Sequence, residues 1–214
     1  MSGIPQGSVL GPILFVLYIN DLPESTSSPT VMFADDTKVY RKITNQNDEM
    51  LLQEDLNNLM KWSDKWLLRF HPKKCKVMTV STNSRRNPQY QLNDKGDVTR
   101  LENIASEKDL GVVVDQNLSF STHIQQIINK ANSIVGVKRR SFVYLDENMF
   151  TNLFKALIRP HLEYAASIWN PYKVKDIETI ENVQRRSTKL LPGFKQLSYS
   201  ERLRKLKLPT LAYR

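Results

Sequence analysis

Asp35 and Asp36 are the residues whose type and spacing most directly allow chemistry in this chain of 214 residues. They stand between Thr30-Val31-Met32-Phe33 and Thr37-Lys38-Val39-Tyr40, two short segments with strand character. Neighbouring side chains of a straight strand point to opposite faces, so adjacent carboxylates can share one ion only where the backbone turns. The layout predicts a hairpin with the Asp pair at its tip. Magnesium takes oxygen ligands and is commonly held by one or two carboxylates together with substrate phosphates, the arrangement of phosphoryl-transfer sites. Aspartate also favours turns for purely local reasons, so the pair acquires meaning only from the rest of the chain. Cysteine chemistry adds nothing: a single Cys75 excludes an internal disulfide and a cysteine-based zinc site. His71, His123 and His161 lack metal-ligand spacing and are expected at the surface or in packing.

Several elements must position the pair. Gly3-Ile4-Pro5-Gln6-Gly7 is a loop in which Pro5 fixes one dihedral and the glycines permit close backbone approach. Ser8 can cap a helix running to Asn20, apolar almost all round and therefore expected to be buried, with Pro12 near its first turn. Asn20, Asp21 and Pro23 end it, and the polar stretch Glu24 to Pro29 leads to the hairpin. A long helix capped at Asn47 or Asp48 follows, with Leu52, Leu56, Leu59, Ser63, Trp66 and Leu67 on one face, and His71-Pro72 is expected to stop it. Val77 to Val80 reads as a strand. A hairpin is expected around the turn 93–96, and Leu110 to Val114 as a buried strand. The remainder is helical: one helix from Thr122 ending in Lys138-Arg139-Arg140, one capped by Asp146 and interrupted at Pro160, one from Asp176 carrying Arg185, Arg186 and Lys189 outward, and a last basic segment.

Hydrophobic residues make up 40% and charged residues 25%, an ordinary globular balance. The longest apolar run, Pro12 to Ile19, is too short to span a bilayer and the N-terminus lacks signal-peptide layout, so an intracellular protein without membrane contact is expected. Charge is uneven. Residues 1–72 hold six Lys or Arg against nine Asp or Glu, whereas residues 73–214 hold 25 against 13. An acidic half joined to a basic half suits an enzyme acting on a polyanion, although a basic surface can also be merely solvated.

Gly3-Ile4-Pro5-Gln6-Gly7 with Val9-Leu10-Gly11-Pro12-Ile13-Leu14-Phe15, followed by Phe33-Ala34-Asp35-Asp36, resembles the reverse transcriptases of non-LTR (LINE-type, jockey-like) retrotransposons. The first block resembles that family's motif B and the second its catalytic motif C. Order and spacing together are specific where either block alone would be weak. His71-Pro72-Lys73-Lys74-Cys75 is similar to the motif D region, Leu110-Gly111-Val112 to motif E, and residues 122–214 to the thumb and the segment after it.

The resemblance implies an α+β fold: a partial polymerase palm over residues 1–80, a β connector over 81–120 and a basic helical, thumb-like region over 121–214. It implies RNA-directed DNA synthesis on an RNA template from a DNA primer with deoxynucleotides. Asp35 would be the main metal ligand and Asp36 a supporting one, for Mg2+ or Mn2+. Gly3, Pro5, Gln6, Gly7, Phe33 and Ala34 would position template and nucleotide. Lys74 would sit near the leaving pyrophosphate, unless Lys73 or Lys76 fills that place or the cluster is simply solvated. Lys138, Arg139, Arg140, Arg185 and Arg186 would contact nucleic acid. By family, the expected location is the nucleus or a cytoplasmic ribonucleoprotein.

One departure matters. The family's fingers and motif A, which bears the other essential aspartate, precede motif B, and this chain starts two residues before that motif. Asp21 and Asp115 belong to other patterns. The chain is therefore expected to be part of a transposon polymerase, truncated at both ends, inactive unless a missing N-terminal portion supplies the carboxylate. A non-catalytic nucleic-acid-binding or assembly module is the alternative.

Overall fold

The computed structural model describes residues 7–81, 88–141 and 145–212, with 138–141 by backbone alone. Helices and small sheets divide into two units, Met1–Thr79 with Asn83–Ile104, and Val80–Thr82 with Ala105–Arg214.

In the first unit, α1 spans Leu10–Ile19, with Pro12 inside its first turn. Ser8 Oγ accepts the amides of Leu10 and Gly11 at 3.1 and 3.3 Å, supplying the cap that Val9 cannot. The hairpin comes next, β1 at Thr30–Phe33 paired antiparallel with β2 at Asp36–Val39. Helix α2, Gln46–Trp66, starts at a capping box in which Asn45 and Asp48 satisfy each other's backbone amides, ahead of the expected Asn47 or Asp48 cap. It stops at Leu67, which takes a left-handed φ of 57°, before His71-Pro72 is reached. Its apolar stripe builds two clusters. Leu59 and Trp62 join Ile19 and Leu22, with Met32 and Val39 of the hairpin against them, while Met60 joins Tyr90, Leu92 and Leu101.

Helix α1 departs from expectation. Ile19 alone is buried, and Leu10, Ile13, Leu14, Val16 and Leu17 are exposed, Leu17 by 68%. Only the C-terminal end of α1 meets α2: Phe15 packs at the edge of the cluster, and Tyr18 stands edge-on to Trp66, donating its hydroxyl to the Trp66 carbonyl. The strand expected over Val77 to Val80 is confined to β3, Lys76–Val77, because its parallel partner, Glu102–Asn103, is equally short. Between them in sequence, β4 (Gln91–Asp94) and β5 (Asp97–Arg100) form the hairpin expected there, turning through Lys95 and Gly96, both at positive φ. The Glu102–Asn103 strand is β6.

The second unit begins with β7 (Ser106–Asp109) and β8 (Val112–Asp115), joined by Leu110 and Gly111 at φ 43° and 89°. Leu110 is thus a turn residue, where the Val run had suggested a continuous strand. Helix α3 (Ser121–Ser141) buries Ile124, Ile128 and Ala131. Asp146 caps α4 (Glu147–Leu153), accepting the Met149 amide at 2.7 Å. A π-helical turn over Phe154–Ile158 links it to α5 (Arg159–Glu163). The widened turn lies just before Pro160, whose missing N–H and ring disrupt the regular ladder. Short α6 (Ala166–Trp169), α7 (Val174–Thr188) and α8 (Tyr199–Leu206) close the unit around Phe150, Phe154, Leu162, Trp169, Ile180 and Val183. No described helix is long and apolar enough to cross a membrane.

His123 lies inside this core. Its Nδ1 accepts the Val113 amide at 3.2 Å, its ring stands edge-on to Trp169 at 5.2 Å, and its buried Nε2 has no partner among the described residues. Burial, with the Lys108 charge, holds its pKa below the ordinary 6.5. The neutral ring is the folded form, so its contribution is complete above pH 6.5 and is lost as pH falls through the folded value. We expect the stability of this unit to decline below pH 6.5, well before Asp115 can protonate near or below 3.8. The slope should be at most about 1.4 kcal/mol per pH unit. Thermal midpoints in a pH series should show that decline, and His123→Gln should flatten it.

Candidate active site

The local sequence of the hairpin explains its shape. Phe33 pairs with Asp36, so the two-residue turn is Ala34-Asp35, and Ala34 takes φ 52°. The tip lies one residue earlier than the Asp pair: Asp35 is in the turn, and Asp36 opens β2. Pairing fixes the faces. Thr30, Met32, Thr37 and Val39 are half-buried, and Met32 and Val39 pack on the α1–α2 cluster. Val31, Phe33, Asp36 and Lys38 are exposed, and cross-strand partners share a face, so Phe33 and Asp36 stand together on the outer one. Asp35 and Ala34 are exposed at the tip.

The base of the hairpin is held by a group that sequence reasoning missed. Asp55 on α2, 1% exposed, accepts the amides of Ser27 and Ser28 at 2.6 and 3.1 Å and the Ser28 hydroxyl. Arg41, just past β2, lies 3.6 Å from the same carboxylate and donates to both serine hydroxyls. Chain entering and chain leaving the hairpin are thereby tied to one point on α2. Burial pushes the Asp55 pKa up, but the donors from Ser28 and Ser27 outweigh it and the net direction is down. A signal existed in the sequence: Asp55 lies one helical turn before Leu59, next to the apolar stripe, where an unpaired acid would be costly.

Gly7 is exposed with φ 89°, and Gly3, Pro5 and Gln6 lie outside the described residues. Lys74 is exposed in a 3-10 turn over Pro72–Lys74 of the same unit. Asp21 is occupied elsewhere, accepting the Trp62 indole N–H at 2.9 Å. Asp115 accepts the amides of Asn117, Ser119 and Phe120 and shapes the entry to α3. Among the described residues no group of three His, Cys, Asp or Glu side chains could hold a metal ion. Two carboxylates suit a magnesium ion that is also bound by substrate phosphates, so Asp35 and Asp36 fit part of such a site.

The basic candidates belong to the second unit. Lys138, Arg139 and Arg140 form the end of α3, and their side chains are outside the described residues. Arg185 and Arg186 are exposed in the last turn of α7, with the Arg185 guanidinium 5.1 Å from the ring centre of Tyr199.

Residues 1–145 match the family model described as reverse transcriptase (RNA-dependent DNA polymerase). The chain is 27% identical over 210 residues to the RNA-directed DNA polymerase from mobile element jockey of Drosophila melanogaster, covering 90% of this chain and 22% of that protein. It is 26% identical over 222 residues to the probable RNA-directed DNA polymerase from transposon X-element of the same organism, covering 98% and 24%. With the Pol polyprotein from type-1 retrotransposable element R1 of Nasonia vitripennis it shares 24% identity over 198 residues, covering 86% and 58%. The chain thus spans less than a quarter of the length of the first two relatives. No solved structure matches it. With Asp35 at the turn of a hairpin inside the matched segment, the chain belongs to the reverse transcriptase (RNA-dependent DNA polymerase) family and is similar to the polymerases of non-LTR retrotransposons.

Proposed function

We propose that this chain supplies the palm and thumb-like part of an RNA-directed DNA polymerase, in which a primer 3′-hydroxyl attacks the α-phosphate of a deoxynucleotide and pyrophosphate leaves. The observation that carries the reading is the Ala34-Asp35 turn of a hairpin anchored to α2 within the matched segment. Asp35, with Asp36 in support, would hold Mg2+ or Mn2+, whose charge stabilises attacking and leaving oxygens. Phe33 and Ala34 present the carboxylates. The loop of Gly3, Pro5, Gln6 and Gly7 positions template and nucleotide, and Lys74 offsets charge on the departing pyrophosphate. The described residues bring no third carboxylate to the pair, so the reading includes a need for one from a further segment of the same polymerase. An RNA template, a DNA primer and an intracellular site of action, nuclear or in a cytoplasmic ribonucleoprotein, belong to the same proposal.

Magnesium-dependent primer extension on an RNA template tests it. The chain alone should not extend. Joined to the aspartate-bearing upstream part of a jockey-type polymerase it should extend, and Asp35→Ala should reduce that activity by at least about 100-fold, the scale of losing a charge-stabilising group. Extension by the chain alone would overturn the dependence on a further segment, and extension indifferent to Asp35→Ala would overturn the site. The exposed cations of α7 and α8 favour a second reading, a binding or assembly module without catalysis. Binding independent of Asp35 and magnesium, with no extension in either form, would select it.

A further inference from the structure

A carboxylate that holds a metal against a reacting phosphate works only within about 0.5 Å of its proper place, so whatever orients the Ala34-Asp35 tip bears on the chemistry. The hairpin cannot orient itself. Its two strands have four residues each, and an isolated two-stranded hairpin is marginally stable in water. Its inner face, Met32 and Val39, packs on Ile19, Leu22, Leu59 and Trp62, and apolar contact sets a separation without setting a direction. The direction has to come from polar bonds at the base.

Asp55 grips the entering chain through the Ser27 and Ser28 amides and the Ser28 hydroxyl, and the leaving chain through Arg41. Arg41 closes the ring, its Nε donating to Ser28 Oγ at 2.7 Å and its Nη2 to Ser27 Oγ at 2.6 Å. Between the two grips the Tyr40 amide donates to the Pro29 carbonyl at 3.1 Å. Asp55 and Ser28 are buried, so water competes little for these bonds and their directional character is kept. The same helix also holds α1. Two turns beyond Asp55, Trp62 donates its indole N–H to Asp21, just past the end of α1, and the Trp66 carbonyl accepts the Tyr18 hydroxyl. Both α1, which follows the loop read as placing template and nucleotide, and the hairpin are thus referred to α2. Where Asp35 stands relative to α1 depends on how firmly Asp55 fixes the hairpin to that common element.

We propose that Asp55, with Arg41 as its partner, is a positioning residue of the candidate polymerase site: the pair sets the orientation of the hairpin against α2 and so places the Asp35 carboxylate relative to α1. This role rests on the polymerase reading of Asp35, and it belongs to a residue outside the segments that resemble the family's motifs. Asp55 touches neither metal nor nucleotide and acts through the backbone on either side of the hairpin.

Two measurements separate placement from stability. Spin labels at Leu10→Cys and Val31→Cys, both exposed, in the full chain carrying Cys75→Ser report the hairpin relative to α1 by pulsed electron paramagnetic resonance, with no activity required. One narrow distance distribution is expected. Asp55→Asn and Arg41→Lys should broaden it, the lysine because it keeps the charge but loses the planar fork that reaches both serines. Asp35→Ala should leave it unchanged, as should Leu92→Ala, a core truncation in the separate cluster of Met60, Tyr90 and Leu101. In single-turnover extension by the chain joined to its aspartate-bearing upstream part, Arg41→Lys should lower the rate per active site about tenfold, as a misplaced reacting group does, with nucleotide affinity held within about twofold. A merely structural role would lower the amplitude, which counts folded enzyme, and leave the rate intact. Should Asp55→Asn not fold, Arg41→Lys carries both measurements. An unbroadened distribution in Arg41→Lys, equal broadening by Leu92→Ala, or a lowered amplitude with an unchanged rate would each overturn the proposal. A joined wild type that does not extend, or extension indifferent to Asp35→Ala, overturns the polymerase reading and any part of Asp55 in it, whereas failure confined to the Asp55 and Arg41 variants overturns the positioning alone.

Discussion

Replacing Asp55 with alanine should destabilise the first unit by about 3–5 kcal/mol, the range for removing one partner of a buried ion pair. The cost has identifiable parts. The amides of Ser27 and Ser28 and the buried Ser28 hydroxyl would lose their acceptor, and Arg41 would keep a mostly buried charge beside no carboxylate. Each abandoned donor costs about 1–3 kcal/mol in desolvation, less whatever water can recover. A total stability of about 5–15 kcal/mol is typical of a domain, so the loss is a large fraction of it. Hydrogen exchange read segment by segment should show protection collapsing in β1, β2 and α2 while α3, α4 and α7 keep theirs. Asp55→Asn should lie between, because it retains one acceptor but turns an amide donor toward other donors. The wild-type carboxylate is ionised in the fold with its pKa lowered, so its contribution is present above 3.8 and lost as pH falls through the folded value. Protection uniform across both units in Asp55→Ala would contradict the anchor.

Much of this was legible, and the failures share a cause. The hairpin was readable because period-two alternation on both sides of a turn fixes strands, register and faces together, and only the tip moved by one residue. The cap at Asp146 and the break near Pro160 follow from single-residue chemistry. An apolar pattern on every face predicts burial for α1, but it shows only what the helix prefers, whereas burial depends on which partners reach it, and only Phe15 and Ile19 join the cluster. The end of α2 carries no sequence sign, because Leu67 adopts the left-handed conformation that glycine usually marks. At Leu110-Gly111 the glycine marks the turn, while the three valines after it extend the strand pattern back across it. Motif order singles out Asp35 and Asp36 as candidates but says nothing of the long-range pairs that hold the two units. Asp55 meets Ser27 from 28 positions away, and Arg185 meets Tyr199 from 14 positions away across a change of helix. Local periodicity carries no information about such pairs.

Trp169→Ala should cost the second unit about 3–5 kcal/mol, the scale of deleting a fully buried aromatic side chain. Trp169 is 1% exposed and is among the largest side chains completely enclosed. Its ring is one wall of the His123 site, and its Nε1 donates to the Tyr164 carbonyl at 2.7 Å. Tyr164 in turn lies over the β7–β8 turn, donating its hydroxyl to the Leu110 carbonyl at 2.9 Å. Its ring sits so close to Gly111 that a Cβ there would meet it at 3.1 Å. Removing the indole therefore opens a cavity, frees a carbonyl and loosens the turn in which Gly111, at φ 89°, faces the Tyr164 ring. Trp169→Phe keeps most of the volume and loses the hydrogen bond, so about 1–2 kcal/mol is expected. The alanine variant should also weaken the acid sensitivity assigned to His123, because water reaching Nε2 would return its pKa toward 6.5. Urea titrations followed by far-ultraviolet circular dichroism, at neutral pH and again below 6.5, would show both effects. A double-mutant cycle between Trp169→Phe and His123→Gln should give a coupling energy above about 0.5 kcal/mol, as residues in contact do. Strict additivity of the two changes would mean that the indole and the imidazole, though in contact, do not depend on each other.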